Sequence, residues 1–294
     1  MDDDQPRFRP SPHVSVAEQV RQAMGSMTAA ERRVARALLA SYPAAGLDSA
    51  GSLAATAQTS AATVVRLVQK LGFDGFPGFQ TTLRAELSSR RVGPIDRAAV
   101  APPGDAREKI LHDLSQALSD LAATVSATVP PTEFAAAVRL LADNRRTIWL
   151  LGGRASQPLA VYIAAHLSRF RSGVSVLPRY AGGHDAVLVD ANRRTVLVAF
   201  DFRRYEQETV EVAALATERG AKVIVVTDTL MSPATASAEV VLPVAVEVPS
   251  PFDSSVGGLV LAEALLEAVL MEMGPTAVER MRRWDQLADR HLIH

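Results

Sequence analysis

The chain has 294 residues, with 31 Lys and Arg against 32 Asp and Glu, a formal net charge of −1, and 48% hydrophobic residues. This length has room for two domains, and the composition is typical of globular proteins. The absence of Cys excludes disulfides, thiolate metal sites and Cys nucleophiles. No apolar run reaches the roughly 18 residues of a membrane span, and the acidic, Pro-rich start does not have the order of a signal peptide. We therefore expect a cytoplasmic protein with no membrane partner.

Charge is unevenly distributed along the chain. Residues 28–91 contain 8 Lys and Arg against 4 Asp and Glu, whereas residues 92–294 contain 20 against 24. A basic module followed by an acidic one is typical of a DNA-facing part joined to a part with another task. Residues 1–14, with three Asp and three Pro, are predicted to be a disordered tail.

The first strong helix signal is a capping box. Thr28 and Glu31 have its spacing, with a hydroxyl first and a carboxylate three residues later, and they predict a helix over roughly Ala29–Ser41. The outer side of this helix is basic. Its arginines either follow DNA phosphates or form an ordinary solvated face: Arg32, Arg33 and Arg36.

The stretch Leu53–Phe73, LAATAQTSAATVVRLVQKLGF, predicts two short helices joined by a tight turn. Ser60 stands at the N-cap position of the second helix, and Gly72 stands just after its end. The buried stripe of the second helix follows the i, i+3, i+4, i+7 rule: Val64, Leu67, Val68 and Leu71. This spacing indicates a helix-turn-helix, in which the second helix enters the major groove of DNA.

The opposite face of the second helix supplies the predicted DNA contacts. Arg66 has the reach to bind a guanine edge or a phosphate, while Ala61 and Ala62 offer apolar contact only. The full predicted set is Ser60, Ala61, Ala62, Thr63, Val65, Arg66, Gln69 and Lys70. The alternative is a helical hairpin with a solvated basic face. Three Phe follow in FDGFPGFQTTLRAEL, and we expect them to be core residues rather than base-stacking groups.

A family resemblance extends beyond this motif. The runs MTAAERRVARALLASYP and SLAATAQTSAATVVRLVQKLGFDGFPGFQTTLRAEL resemble the N-terminal domain of RpiR-type bacterial regulators. The most specific part is the Val-Arg-x-x-x-Lys-Leu-Gly-Phe-x-Gly-Phe ending. The resemblance implies a helical helix-turn-helix domain, assigned to 15–91, followed by a sugar-isomerase-type (SIS) domain that binds phosphosugars.

Residues 92–106, rich in Pro, Gly and Ala, are predicted to be a linker. From 107 to 294 continuous apolar runs alternate with helical patterns. Such runs predict a parallel, Rossmann-like sheet with helices on both faces. The runs are Thr147–Leu151, Val174–Leu177, Thr195–Phe200, Lys222–Thr227 and Glu239–Val244. The pattern of His184–Asn192 allows a strand, whereas the resemblance favours a helix.

Ligands of open parallel sheets bind beyond the carboxyl ends of the strands, where three loops carry polar residues. The first is Gly152-Gly153-Arg154-Ala155-Ser156, where a helix N-terminus offers N–H groups to an anion. The resemblance adds a G-x-G-x-S motif here, in which Arg154 replaces the second Gly. The alternative is a tight strand-to-helix turn.

The second loop runs from Phe200 to Glu206. The resemblance implies an S-x-S-G-x-T phosphate loop at this place, but this chain has Asp201, Arg203, Arg204 and Glu206. The two Arg either bind an anion by bidentate bonds or form ion pairs within the protein. The third loop starts at Thr227 and resembles the T-D-x-x-x-S-P stretch of the family. The predicted effector site is therefore Gly152, Gly153, Arg154, Ser156, Asp201, Arg203, Arg204 and Thr227.

No catalytic set, metal-ligand spacing or cofactor motif stands out. Glu263 and Glu267 share a helix face and are the candidate bases for the enzymatic alternative, a sugar-phosphate isomerase with an added helical domain. A third alternative is an SIS-like domain that only assembles.

The sequence favours a regulator over these alternatives. We expect the chain to bind an operator in double-stranded DNA, to sense a sugar phosphate or other anionic metabolite, and to act as a homodimer or homotetramer.

Overall fold

The computed structural model describes residues 15–40, 42–91, 94–100, 107–179 and 183–288. The predicted tail at 1–14 lies outside these ranges. The chain divides into two compact units, Met1–Val92 with Thr229–Ala236 and Gly93–Asp228 with Ser237–His294. The domain bounds 15–91 and 107–294 remain predictions.

The first unit is helical. Its helices are α1 (Val16–Ala23), α2 (Ala29–Ala40), α3 (Ala44–Leu47), α4 (Ala50–Thr56), α5 (Ala61–Lys70) and α6 (Gly75–Arg91), with a 3₁₀ turn at Met24–Ser26. The predicted capping box starts α2, since Thr28 N–H donates to Glu31 Oε2 at 2.7 Å and Glu31 N–H to Thr28 Oγ1 at 3.3 Å.

One apolar core holds these helices together. The predicted stripe of α5 is buried in it, together with residues of α1, α2 and α4. Phe79 is fully buried, and the ring centroids of Phe73 and Phe76 lie 5.4 and 5.5 Å from its own. The three Phe therefore contribute to this cluster, as the sequence indicated.

The second unit is an α/β domain. Its helices are α7 (Pro94–Val100), α8 (Arg107–Thr128), α9 (Pro131–Ala142), α10 (Gln157–Phe170), α11 (Gly183–Leu188), α12 (Gln207–Glu218), α13 (Val256–Met273) and α14 (Pro275–Ala288). Its strands are β1 (Thr147–Gly152), β2 (Val174–Val176), β3 (Thr195–Asp201), β4 (Lys222–Asp228) and β5 (Val240–Val244). Helix α7 lies within the predicted linker, and α11 resolves the ambiguous stretch in favour of a helix.

The five strands are all parallel and lie in the order β2-β1-β3-β4-β5. Every residue of β3 and β5 is buried, which requires cover on both faces of the sheet. Residues such as Val196 and Val198 pack into a cluster with α9, α10 and α13. The alternate residues point to the opposite face, and α12 packs on β3 and β4. The predicted fold class is confirmed.

None of the helices in the described part of the chain combines the length and hydropathy that a membrane span needs.

Candidate functional site

Helix α5 begins as the sequence predicts. Ser60 has extended backbone angles, and its hydroxyl accepts the N–H of Thr63 at 3.3 Å. This bond satisfies one of the free N–H groups of the first turn and fixes where the helix starts. The turn before it includes Gln58, whose φ of 50° is left-handed. Arg33 of α2 donates to the carbonyls of Ala57 and Gln58, which ties α2 to this turn.

The outer face of α5 is small at its start and polar further along. Val65 is half-buried. The other five predicted DNA contacts on this face are exposed: Ala61, Ala62, Arg66, Gln69 and Lys70. The N-cap Ser60 is exposed as well. The exposed positions of its first turn, Ala61 and Ala62, carry only methyl side chains, so they leave room above the helix surface.

Thr63 differs from the rest of the predicted set. It is 6% exposed, and its hydroxyl lies 3.0 Å from Ser60 Oγ. Arg66 Nη2 donates to the same hydroxyl at 3.3 Å. Thr63 is therefore buried in the first turn of α5, where its hydroxyl connects the N-cap Ser60 to Arg66.

Lys70 is held within the unit. Its Nζ donates to Ser26 O at 2.7 Å and forms a 3.3 Å ion pair with Glu31 Oε2. Burial alone would raise the pKa of the Glu31 carboxyl, but hydrogen bonds from Thr28 and Lys70 outweigh it and lower that pKa. Lys70 therefore stabilises the junction of α2 and α5 as well as standing on the predicted DNA face.

A second site lies at the carboxyl ends of the strands in the α/β unit. The chain passes from β1 to β2 on one side and then to β3 on the other, so the connections reverse direction between β1 and β3. Such a switch point leaves a crevice in which ligands of open sheets bind. A cavity of about 490 Å³ lies here, within the range of small-molecule sites.

Six of the eight predicted effector residues line this cavity: Gly153, Arg154, Ser156, Asp201, Arg203 and Arg204. Gly152 and Thr227 do not. Thr227 is fully buried within β4. Gly152 packs against the start of α10, since a Cβ there would lie 2.5 Å from the backbone nitrogen of Gln157. Only Gly allows the strand and the start of α10 to approach this closely.

The hydroxyl of Ser156 is used inside the protein. It accepts Gly153 N–H at 2.8 Å and donates to Phe200 O at 2.6 Å, which joins the loop after β1 to the end of β3. Ser156 is buried, and its bonds shape the cavity wall.

Arg203 forms the ion pairs that the sequence left as an alternative to anion binding. Its Nε donates to both carboxylate oxygens of Asp253, at 2.9 and 2.8 Å, and its Nη2 donates to Oδ1 of the same carboxylate. Its Nη1 donates to Glu247 Oε1 at 2.6 Å. Arg97 binds Asp253 as well, at 2.8 Å. Burial by itself lowers the pKa of Arg203, but its hydrogen bonds to the carboxylates of Asp253 and Glu247, and their charges, raise that pKa overall. These charges therefore neutralise one another in the wall of the cavity.

Glu206 joins the loops after β1 and β3. Its Oε1 accepts the backbone N–H of Arg154 at 2.6 Å, and its Oε2 accepts from Arg179 Nη2 at 2.9 Å. Burial alone would raise the pKa of this carboxyl, but the bonds from Arg154 and Arg179 lower it below the usual range.

The candidate bases of the enzymatic alternative lie elsewhere. Glu263 and Glu267 are exposed on α13 and line a separate groove of about 250 Å³ with Tyr162 and His166. Tyr162 donates to Glu263 at 3.0 Å. His184 is buried and pairs with Glu208 at 3.0 Å. Neither Glu263 nor Glu267 lines the cavity at the switch point.

Comparison with known families matches both units. The sequence model of the helix-turn-helix domain of the rpiR family covers residues 14–90. The SIS domain model covers residues 140–268. Together the two matches give this chain the two-part organisation of RpiR-type transcriptional regulators.

Two relatives match most of this chain. The HTH-type transcriptional regulator HexR of Pseudomonas aeruginosa is 26% identical over 272 residues, which are 92% of this chain and 94% of HexR. The Vibrio vulnificus NanR protein, solved in complex with ManNAc-6P, has a TM-score of 0.55 and 21% identity over 95% of this chain and 99% of its own.

The sugar isomerase domain of the RpiR transcription factor from Sphaerobacter thermophilus has the same fold as the α/β unit. Its TM-score is 0.57, with 21% identity over 60% of this chain and 99% of that domain.

The sequence did not predict part of the cavity wall. The missed lining residues come from α7, from the loop before α13 and from the strand ends: Arg97, Phe202, Val246, Phe252, Asp253, Ser254 and Ser255. The available signal was the polar Asp-Ser-Ser run between a strand and a long apolar helix. Helix N-termini at this edge of a sheet are common places for ligand groups.

Proposed function

We propose that this protein is a bacterial regulator that binds an operator through α5 and responds to a small metabolite bound in the cavity at the β1–β3 switch point. The observation that carries the proposal is the exposed, small-then-polar face of α5 opposite its buried stripe, within a helix-turn-helix of the RpiR family. A protein with this role works in the cytoplasm.

Arg66 is the proposed base-reading residue. It is exposed, and Thr63 steadies its guanidinium at 3.3 Å. Arg can bind a guanine edge in bidentate fashion, and the neighbouring Ala61 and Ala62 suit thymine methyl groups. Gln69, Val65 and Ser60 complete the surface, and Lys70 adds a charge near the phosphates.

The proposed effector is a small carbohydrate-derived metabolite. Support comes from the SIS domain, from the cavity at the place where open sheets bind ligands, and from the ManNAc-6P complex of the NanR protein with the same fold. Binding alters operator affinity only if the ligand prefers one arrangement of the protein over another.

Assembly into a homodimer or homotetramer is part of the proposal, because one short recognition helix makes few base contacts. Helix α8 exposes Ile110 and Leu111, and α13 exposes Met271, so these helices are the candidate association surfaces. A two-fold symmetric assembly favours a palindromic operator.

The test is binding of the full chain to its own upstream DNA at two salt concentrations. Replacing Arg66 by Ala is expected to weaken specific binding by about 10- to 100-fold, since a bidentate base contact is worth about 1–3 kcal/mol. Arg84 is an exposed arginine on α6, and Arg84→Ala is the matched control. Lys70→Ala is expected to weaken binding less and to reduce the salt dependence.

Equal binding of wild type and Arg66→Ala to operator DNA would contradict the role of α5. A wild-type protein that prefers its upstream region no more than random DNA, with and without a metabolite extract, would contradict the regulator proposal itself.

A further inference from the structure

Glu206 occupies an unusual place for a residue at the start of a helix. It is the N-cap residue of α12, where a side chain normally accepts an N–H of its own helix. The Glu206 side chain makes no such bond. It reaches instead to the loop after β1, to a residue 52 positions away in the chain.

Both carboxylate oxygens are engaged there. Oε1 accepts Arg154 N–H at 2.6 Å and lies 3.4 Å from Arg154 Nε, while Oε2 accepts from Arg179 at 2.9 Å. Arg179 also donates to Gly152 O, so its guanidinium is fixed on both sides. The Glu206 side chain is only 18% exposed. Charge-assisted bonds in such a setting are stronger than those between exposed groups.

The site that Glu206 fills has the features of an anion site. It combines a backbone N–H in a loop that leads into the 14-residue helix α10, a fixed guanidinium, and the wall of the cavity at the switch point. Gly153 lies against it so closely that a Cβ would be 3.0 Å from Glu206 Oε1. A ligand phosphate that used the same donors would have to displace this carboxylate.

The rest of the inner wall offers a phosphate little in exchange. Arg203 and Arg97 form ion pairs with Asp253. The hydroxyl of Ser156 already forms hydrogen bonds with Gly153 N–H and Phe200 O. The side chains of Arg154 and Arg204 are exposed at the mouth, where solvent and salt screen their charge. Ser255 lines the cavity and does not use its hydroxyl to cap α13, so it adds a neutral polar group to the wall.

We propose that Glu206 is the cavity's own anion, which excludes phosphate from the loop after β1, and that the effector is a hydroxylated compound without a phosphate group at this position. The inference rests on the proposed function of the cavity as the effector site. It narrows the effector class to neutral sugars, polyols and sugar acids whose carboxylate binds elsewhere.

The first test uses inorganic phosphate as the probe and the full chain as the protein. Glu206→Ala leaves the Arg154 N–H and Arg179 without their carboxylate, so we expect it to bind phosphate at least about tenfold more tightly than wild type. Isothermal titration at constant ionic strength measures this directly. Glu218→Ala is the matched control because Glu218 is exposed at the far end of the same helix, and it is expected to behave as wild type.

Glu206→Gln guards against a folding defect. It keeps the shape and the acceptor for Arg154 N–H but removes the charge, so phosphate should again bind more tightly than to wild type. Phosphate binding that is equally tight in wild type and in both Glu206 variants would overturn the inference.

A second test separates this inference from the proposed function. Wild type is titrated with matched pairs, each a sugar or sugar acid and its phosphate ester. We expect the unphosphorylated member to bind wild type more tightly. Preference of wild type for the phosphate ester would overturn the inference. If no pair binds wild type or changes operator binding, the proposed sensing role fails, and the phosphate titration still decides the role of Glu206.

Discussion

Arg171 shows how one charged residue becomes part of a core. It follows α10, is 1% exposed, and donates from Nη2 to Asp143 O at 2.7 Å and to Arg146 O at 2.8 Å. These bonds hold the turn between α9 and β1. Burial lowers its pKa to about 10, so the guanidinium stays charged at neutral pH.

Replacement of Arg171 by Ala is expected to lower the free energy of unfolding by about 2–3 kcal/mol, because two carbonyls lose their donor in a buried place. Urea unfolding followed by circular dichroism measures this. Arg169→Ala is the control. The Arg169 guanidinium lies 4.6 Å from the centre of the Trp284 ring, and its loss should cost no more than about 1 kcal/mol. Equal effects of the two variants would show that the Arg171 contacts contribute little.

At the scale of elements, side chains at helix starts connect segments that local propensity cannot join. Thr28 and Glu31 form the capping box at the start of α2, and Glu31 also forms an ion pair with Lys70 at the end of α5. Glu206 does the corresponding work between α12 and the loop before α10. Each link places a functional surface, since α5 carries the proposed DNA contacts and the β1–α10 loop borders the cavity.

The lowered pKa of Glu206 predicts a pH dependence of stability. In the unfolded chain this carboxyl takes up its proton near the ordinary value of 4.5, whereas in the folded protein it does so only at lower pH. The contribution of Glu206 to the free energy of unfolding is therefore complete above pH 4.5. It is lost as the pH falls through the pKa of the carboxyl in the folded protein. We expect the free energy of unfolding to fall less steeply between pH 5 and 3 in Glu206→Gln than in wild type.

Urea unfolding at a series of pH values tests this, with Glu218→Gln as the control that should keep the wild-type slope. Parallel pH profiles for wild type and Glu206→Gln would show that the ion pairs with Arg154 and Arg179 do not stabilise the fold.

At the scale of the whole molecule, the two units have separate cores. Among the described residues, the buried members of the main cluster of the α/β unit lie between Val125 and Ala277, and those of the helical unit lie between Val16 and Leu83. Separate cores of this kind are what allow domains to fold by themselves.

A fragment of residues 94–294 is therefore expected to unfold cooperatively and to bind the same ligands as the full chain, but to show no preference for operator DNA. Thermal unfolding, ligand titration and a mobility-shift assay measure the three properties. A fragment without a cooperative transition would show that the α/β unit depends on the first 93 residues.

Periodicity, caps and breakers along the chain predicted most of the fold. The stripe from Val64 to Leu71, the capping box at Thr28 and the continuous apolar runs of the sheet are local patterns, and local patterns decide which face of an element is buried. The stretch from His184 could not be assigned in this way, because its short pattern fits either period.

The sequence by itself determined the order of parts, the helix proposed to recognise DNA and the loops that border the cavity. Only the tertiary structure decided what the charged residues do there. Arg203 lies 50 residues from Asp253, and Glu206 lies 27 from Arg179, so the pairing depends on how the strands are ordered in the sheet. A charged side chain looks the same in sequence whether it faces solvent, a ligand or its partner, because its role depends on burial and on the opposite charge that the fold brings to it.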